Sequence, residues 1–152
     1  MSRIERSIEI AASQDAVWST IARLDAVATW NPNVKTAACG QVASGTGATR
    51  TCQLALGHVD EVVSEWVDGE QLWFAIGSHG AIRSADMGLV LRPSGAGTTV
   101  TAIADYHVAL GPLGAVINQI SMKRLMARML DTSLAGLKRH LETANAEGES
   151  SS

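Results

Sequence analysis

The spacing of apolar residues changes twice along the chain, and each change predicts a new type of element. In the first ten residues the apolar positions recur every second residue, which predicts a strand, with one face formed by Ile4, Ile8 and Ile10. Ser13 then predicts a helix N-cap, with Asp15 in the first turn. That helix has an apolar stripe at Val17, Trp18, Ile21 and Leu24. Asp25 predicts the cap of a second short helix, which Asn31-Pro32 ends.

Turn signals divide the next part of the chain into six predicted strands. Residues 34–43 and 48–56 flank a Ser-Gly-Thr-Gly turn, residues 59–67 and 70–78 flank Asp68-Gly69, and residues 82–92 and 98–109 flank a glycine-rich turn at 93–97. From about 113 to 143 the period is helical, with apolar residues at Leu125, Met126, Met129, Leu130, Leu134, Leu137 and Leu141. The stripe shifts before Ser121, so we expect a bend or a new helix start there. Strands and helices in blocks predict an α+β fold with an antiparallel sheet.

Hairpin registers predict which side chains face the interior. A turn centred on Asp68-Gly69 pairs Val63 with Phe74 and Glu65 with Leu72, and leaves Trp66 and Trp73 together on the other face. In the last hairpin, one inward set is Arg83, Ala85, Met87, Leu89 and Leu91, opposite Val100, Ala102, Ala104, Tyr106 and Val108. In the first hairpin, a turn centred on Gly45-Thr46 places Cys39 opposite Cys52, with Arg50, Cys52 and Leu54 on one face.

Four charged residues point inward in these registers, at Arg50, Glu61, Glu65 and Arg83. Burying a charge is costly unless it is paired or hydrated. Three interpretations stay open: the charges pair with one another, they lie at a hydrated mouth, or they contact a ligand. An arginine fork suits a planar anion such as a carboxylate, enolate or phenolate. Glu65 or Glu61 would act as a general acid or base if burial raised its pKa.

Composition and charge narrow the class of protein. The 152 residues suit one domain, which we place at 1–146, followed by a polar and disordered tail at 147–152. The net charge of −3 argues against nucleic-acid binding. No signal sequence or membrane span is apparent, so the expected location is the cytoplasm. Histidine and cysteine spacings match no metal motif, and no cofactor motif occurs.

Local strings along almost the whole chain, about 3–142, resemble the START-like SRPBCC superfamily and, within it, the polyketide cyclase/dehydrase-like group. The strings are Ile8-Glu9-Ile10 leading into Asp15-Ala16-Val17-Trp18, then Trp30-Asn31-Pro32, Glu61-Val62-Val63-Ser64-Glu65, Asp68-Gly69, Leu91-Arg92-Pro93, Asp105-Tyr106, Gly111-Pro112-Leu113-Gly114 and Ser133-Leu134-Ala135-Gly136-Leu137-Lys138. The resemblance implies a helix-grip fold, in which a curved seven-stranded antiparallel sheet wraps a long C-terminal helix, with two short helices after the first strand. It also implies a cavity for a lipid-, sterol- or polyketide-like ligand, but no single reaction.

The first functional hypothesis is binding of a small hydrophobic or aromatic molecule in that cavity. The predicted ligand-contacting residues are Trp30, Arg50, Leu54, Val63, Glu65, Phe74, Arg83, Met87, Tyr106, Met122 and Met126. The first alternative is a cyclase or dehydratase-type enzyme that uses Glu65 or Glu61 with Arg83. The second alternative is a protein-interaction module that uses an exposed face with Trp66 and Trp73. The sequence leaves the oligomeric state and the redox state of Cys39 and Cys52 open.

Overall fold

The computed structural model describes residues 2–55, 57–78, 82–108 and 112–150, with the side chains of the last segment described for 120–144. The elements follow the predicted order of one strand, two short helices, six strands and a long helix. They are β1 (Ser2–Ile10), α1 (Gln14–Ile21), a 3₁₀ helix (Leu24–Thr29), β2 (Thr36–Cys39), β3 (Thr49–Leu54), β4 (Gly57–Val67), β5 (Gln71–Ile76), β6 (Ile82–Ser94), β7 (Gly97–Val108) and α2 (Pro112–Ser150).

The strands form one antiparallel sheet in the order β1-β7-β6-β5-β4-β3-β2. Strands β2 to β7 are neighbours in chain order, and β1 pairs with β7 as the seventh strand of the sheet. The α2 helix lies across the concave face, with its closest backbone approach to β1 and then to β7. The predicted seven-stranded sheet around a long C-terminal helix is therefore confirmed.

The α1 helix lies over one end of the concave face, and the 3₁₀ helix packs against β2 at the edge of the sheet. Ser13 caps α1 as predicted, since its Oγ accepts a hydrogen bond from the Ala16 N–H at 3.1 Å. Gln14 ties α1 to the turn between β4 and β5 by donating to the Gly69 carbonyl at 2.6 Å. The predicted cap at Asp25 is wrong. The second helix is a 3₁₀ helix that begins one residue earlier, at Leu24, and Asp25 lies in its first turn.

The β4–β5 hairpin contains one residue more in its turn than predicted. Val67 pairs with Gln71 rather than Glu70, because Gly69, with φ of 77°, allows a three-residue turn. A bulge between Val63 and Glu65 absorbs the extra residue, so Val63 opposite Phe74 and Glu61 opposite Ile76 are confirmed. Between turn and bulge the β4 residues Glu65, Trp66 and Val67 change face relative to the prediction, whereas Leu72 and Trp73 of β5 keep the predicted faces.

The other two hairpins differ in how well the sequence predicted them. In β6–β7 the pairs Ala85–Tyr106, Met87–Ala104, Leu89–Ala102 and Leu91–Val100 are all confirmed. In β2–β3 the predicted Cys39–Cys52 pair is wrong. Cys39 lies opposite Arg50, because β2 ends at Cys39 and a long loop follows it instead of a tight turn.

The α2 helix is continuous, so the predicted helix start at Ser121 is wrong. It includes residues 147–150, where composition predicts a disordered tail. Leu125 is 50% exposed rather than part of the apolar stripe. Gly136 permits a close approach to the segment between the 3₁₀ helix and β2: a Cβ there would overlap the Trp30 carbonyl and Pro32.

Candidate functional site

The concave face has two parts that differ in packing, and we call the first the packed end. It lies beside the β4–β5 and β6–β7 turns, where α1 and the C-terminal half of α2 cover the sheet. Its side chains are almost fully buried and comprise Val17, Ile21, Val63, Leu72, Leu91, Val100, Leu134, Leu137 and Leu141. The apolar residues with the most regular spacing in the sequence are thus the ones buried at this end.

The second part, which we call the open wall, lies toward the opposite strand ends. It consists of inward-facing side chains that stay only half-buried. Leu54, Val59, Ile76, Ile82, Val108 and Met122 lie toward those strand ends, and Met87 and Leu89 continue the surface along β6 beside Phe74 and Leu72. They come from five strands and from α2. Ala85, Ala102 and Ala104 lie beside them, and their small side chains leave space above the sheet. The open wall is thus an aliphatic and thioether surface at the mouth of the sheet–helix space.

A buried ion pair marks the boundary between these parts. Arg50 and Glu61 are opposite each other on β3 and β4 and are 7% and 8% exposed. One Arg50 nitrogen, Nη2, donates to both Glu61 oxygens at 3.2 and 3.1 Å, and Nη1 donates to the Leu24 carbonyl at 3.1 Å. The guanidinium also lies over the Phe74 ring, 4.4 Å from its centroid. These two inward charges satisfy each other, which was one of the three interpretations.

Two cysteines adjoin this pair. The Cys52 thiol donates to Glu61 Oε1 at 3.0 Å. Burial and the negative charge of Glu61 raise the pKa of Cys52 to about 12, although Arg50 acts in the opposite direction. Burial also raises the pKa of Cys39, with Asp25 adding to the effect. Both cysteines are free thiols. Raised pKa values keep them protonated and make them poor nucleophiles at neutral pH.

Tyr106 faces the interior as predicted but is fully buried. Its register partner is Ser2. Burial raises the pKa of the Tyr106 hydroxyl, and a side-chain hydrogen bond with Ser2 partly offsets that effect. The ring therefore belongs to the interior packing, and the hydroxyl lies next to the first strand rather than on the open wall.

The predicted inward positions of Glu65 and Arg83 are wrong. Both residues are exposed. The bulge that follows Val63 turns Glu65 to the outer face opposite Trp73, and a second register shift between Ile82 and Ser84 displaces Arg83 from the inward row. Neither bulge has a glycine or proline that would signal it in the sequence. Arg83 is thus an exposed charge beside Ile82 of the open wall.

The same bulge separates the two tryptophans that were predicted to share an exposed face. Trp66 turns inward opposite Leu72 and packs edge-on against Trp18 of α1, with ring centroids 5.2 Å apart. Trp73 stays on the outer face, and its ring covers Gly88, where a Cβ would overlap it. The surface on which the interaction-module alternative depended is therefore not formed.

The other predicted ligand-contacting residues lie in both parts. Met122 belongs to the open wall, whereas Met126, Val63 and Phe74 are buried. Trp30 is buried under α2 and borders a surface groove of about 390 Å³ that also involves Asn31, Arg139 and His140. This groove lies outside the sheet–helix space. Sequence reasoning missed Ile76, Leu89 and Val108 as candidate contacts, although their inward parity was available from the hairpin registers. It missed Ile82 because the predicted register placed that residue on the outer face.

Two classes of site are not seen in the described part of the chain. Its histidines, cysteines and acidic residues form no group of three or more that could hold a metal ion. Among the helices that the structure describes, none combines the length and apolarity of a membrane span.

The fold and the apolar concave face define a helix-grip protein. A family model described as polyketide cyclase / dehydrase and lipid transport matches residues 1–142, so the chain belongs to that family. Its family and fold are consistent with ligand binding in a hydrophobic cavity. The chain's sequence matches no curated protein.

Solved structures show the same fold at low sequence identity. A START superfamily protein from Mycobacterium smegmatis is 17% identical, with a TM-score of 0.76 over 93% of this chain and 98% of that one. The protein XoxI from Bacillus cereus is 14% identical, with a TM-score of 0.77 over 95% and 99% of the two chains. The di-domain ARO/CYC StfQ of the steffimycin biosynthetic pathway is 11% identical, with a TM-score of 0.78 over 95% of this chain and 51% of that one.

Proposed function

We propose that the protein binds a small hydrophobic molecule against the open wall, between the sheet and the N-terminal half of α2. The observation that carries this proposal is the run of inward apolar side chains on the neighbouring strands β3 to β7 that stay half-buried. Exposed apolar surface is unfavourable in water, at about 25 cal/mol per Å², and a ligand that covers it gains that free energy.

The chemistry of the wall favours an apolar contact surface on the ligand. Leu54, Ile76 and Met87 offer only aliphatic and thioether groups. The nearest charges that face inward, Arg50 and Glu61, are engaged with each other. We therefore expect an acyl chain or a flat ring system to bind through its hydrocarbon part, without an ion pair to Arg50. We expect the exposed Arg83, next to Ile82, to meet a polar end of the ligand at the mouth.

Binding is a better-supported role than turnover. Of the three candidate catalytic residues, Glu65 and Arg83 are exposed on the sheet, and Glu61 is held by Arg50 and Cys52. General acid–base catalysis requires the acid or base within hydrogen-bond reach of the reacting group. A ligand on the open wall would not have Glu65 within that reach, because Glu65 lies on the opposite face of the sheet.

The test is isothermal titration calorimetry with a medium-chain fatty acid and a polycyclic phenol as separate probes. We expect at least one probe to bind saturably to the full chain. Substitution Ile76→Phe should then weaken binding of that probe by at least about tenfold, because the larger ring fills the space at the wall.

The matched control is Ala75→Phe, the same new side chain on the next residue of β5. Ala75 faces the outer side of the sheet, so this variant should keep the affinity within about twofold. Thermal unfolding of both variants checks that they fold. The proposal is wrong if neither probe binds, or if the two variants weaken binding equally.

A further inference from the structure

The outward side of α2 beside the open wall combines cations with exposed apolar residues. Ile120, Arg124 and Arg128 follow one another at four-residue spacing and so share one helix face, and Leu125 adjoins them. Ile120 is 58% exposed and Leu125 50% exposed, and both arginines are exposed as well. We call these four residues the α2 outer face. It covers the same turns whose inner side carries Met122.

Positive charge is concentrated in the first half of this helix. The chain has a net charge of −3, with 12 Lys and Arg against 15 Asp and Glu. Up to residue 130, α2 carries the cations Lys123, Arg124 and Arg128 and no acid, whereas the rest of the helix carries two cations and four acids, of which the first is Asp131. Arg6 of β1 holds that acid with two hydrogen bonds of 2.8 Å. The α2 outer face is therefore a positive surface on an otherwise acidic protein.

We propose that the α2 outer face docks the protein onto an anionic lipid bilayer. Arg124 and Arg128, which border a shallow depression with Asp131 and Thr132, contact lipid phosphates. Ile120 and Leu125 enter the boundary between headgroups and acyl chains, as the apolar side of an interfacial helix does. The negative charge of the remaining surface orients this face toward the membrane. Docking does not require that the open wall hold a ligand.

The dimensions and composition of the face favour a bilayer over a protein partner. A specific protein interface buries about 800 Å² on each side and has a closely packed apolar centre. The α2 outer face is convex, spans about two helical turns, and offers two apolar side chains flanked by long cations. Such cations keep their charge among headgroups while their methylene groups lie along apolar surface.

The experiment is co-sedimentation of the full chain with vesicles of equal parts phosphatidylcholine and phosphatidylglycerol, and with vesicles of phosphatidylcholine alone. We expect binding to the anionic vesicles that weakens with added salt, and little binding to the neutral ones. Each arginine removed should weaken binding by about fivefold, so Arg124→Glu with Arg128→Glu should lower it at least about 25-fold. Leu125→Ser should cause a smaller loss that salt does not alter.

The matched control reverses two exposed arginines elsewhere, Arg23→Glu with Arg92→Glu, which gives the same net charge. It should bind anionic vesicles within about threefold of the unchanged protein, the residual change reflecting net charge alone. Equal losses in both double variants, or no preference for anionic vesicles, would overturn the proposal. A dimer in size-exclusion chromatography that Leu125→Ser dissociates would also overturn it. So would saturable binding to soluble polyglutamate without binding to vesicles. Either result would assign the α2 outer face to a protein partner.

Discussion

The two ends of the sheet–helix space have the same kind of lining and very different packing. At the packed end, Leu134 and Leu137 of α2 are almost fully buried where the helix packs against β1 and β7. At the open wall, Ile76 and Met87 point to the same interior yet stay half-buried. The difference arises because α1 and the C-terminal half of α2 cover the first end. Stability is thus concentrated where the protein is closed, and binding is expected where it is not.

The largest expected effect concerns Arg50 and Glu61, which lie at the boundary between the packed end and the open wall. Arg50→Met leaves Glu61 buried without its partner and should lower the free energy of unfolding by about 3–5 kcal/mol. Urea denaturation followed by circular dichroism measures this. The double variant Arg50→Met with Glu61→Leu removes both charges and should recover much of the loss. A double variant no more stable than the single one would show that Arg50 contributes mainly through its contacts with Phe74 and Leu24.

Two leucine truncations compare the ends directly. Leu137→Ala at the packed end should cost about 2–5 kcal/mol of unfolding free energy, because the residue is 0% exposed and leaves a cavity. Leu54→Ala at the open wall should cost about 1 kcal/mol or less, since water already reaches this side chain. Both are measured in the same urea titration. Equal costs would mean that the open wall is as well packed as the other end.

Alkaline pH should lower the free energy of unfolding through Cys52, which lies beside the buried Arg50–Glu61 pair. The folded protein holds the Cys52 proton more tightly than the unfolded chain, because its pKa is raised from 9.0 to about 12. Stability from this thiol is complete below pH 9 and falls as pH rises above it, by about 1.4 kcal/mol per pH unit. Unfolding free energies at about pH 8 and about pH 10 measure the slope.

Cys52→Ala should remove most of that slope between the two pH values. Cys39→Ala is the matched control, since its thiol is half-buried and its pKa is also raised. It should keep the larger part of the slope. An unchanged slope in Cys52→Ala would assign the alkaline sensitivity to other groups.

The smallest expected effect concerns the partly exposed ion pair of Arg6 and Asp131, in contrast to the buried pair of Arg50 and Glu61. Arg6 and Asp131 form a two-fold hydrogen-bonded ion pair between β1 and α2 at 2.8 Å, but about half of each side chain is exposed. Asp131→Asn should cost less than about 1 kcal/mol and less still at high salt. A cost close to that of Arg50→Met would contradict the view that burial, rather than geometry, decides the contribution of each pair.

Much of the fold followed from the sequence, because turn residues and apolar periods agreed. The β6–β7 register was predictable from its glycine turn, and the α1 cap from Ser13. The errors at Glu65 and Arg83 share a cause: the bulges beside Val63 and Ile82 depend on how the sheet curves, and no local residue signals them. They moved Glu65 and Arg83 out of the predicted site. Burial of Arg50 and Glu61 was predictable, but their mutual pairing was only one of several possibilities.

Methyl-detected NMR during titration with a medium-chain fatty acid tests the central claim most directly. The account predicts that methyl signals of Leu54, Ile76, Ile82 and Met87 shift with ligand while those of Leu134, Leu137 and Leu141 stay in place. Saturable shifts of methyl signals at the packed end would contradict this account. So would shifts of methyl groups on the outer side of the sheet, such as those of Val62, without any shift at the open wall.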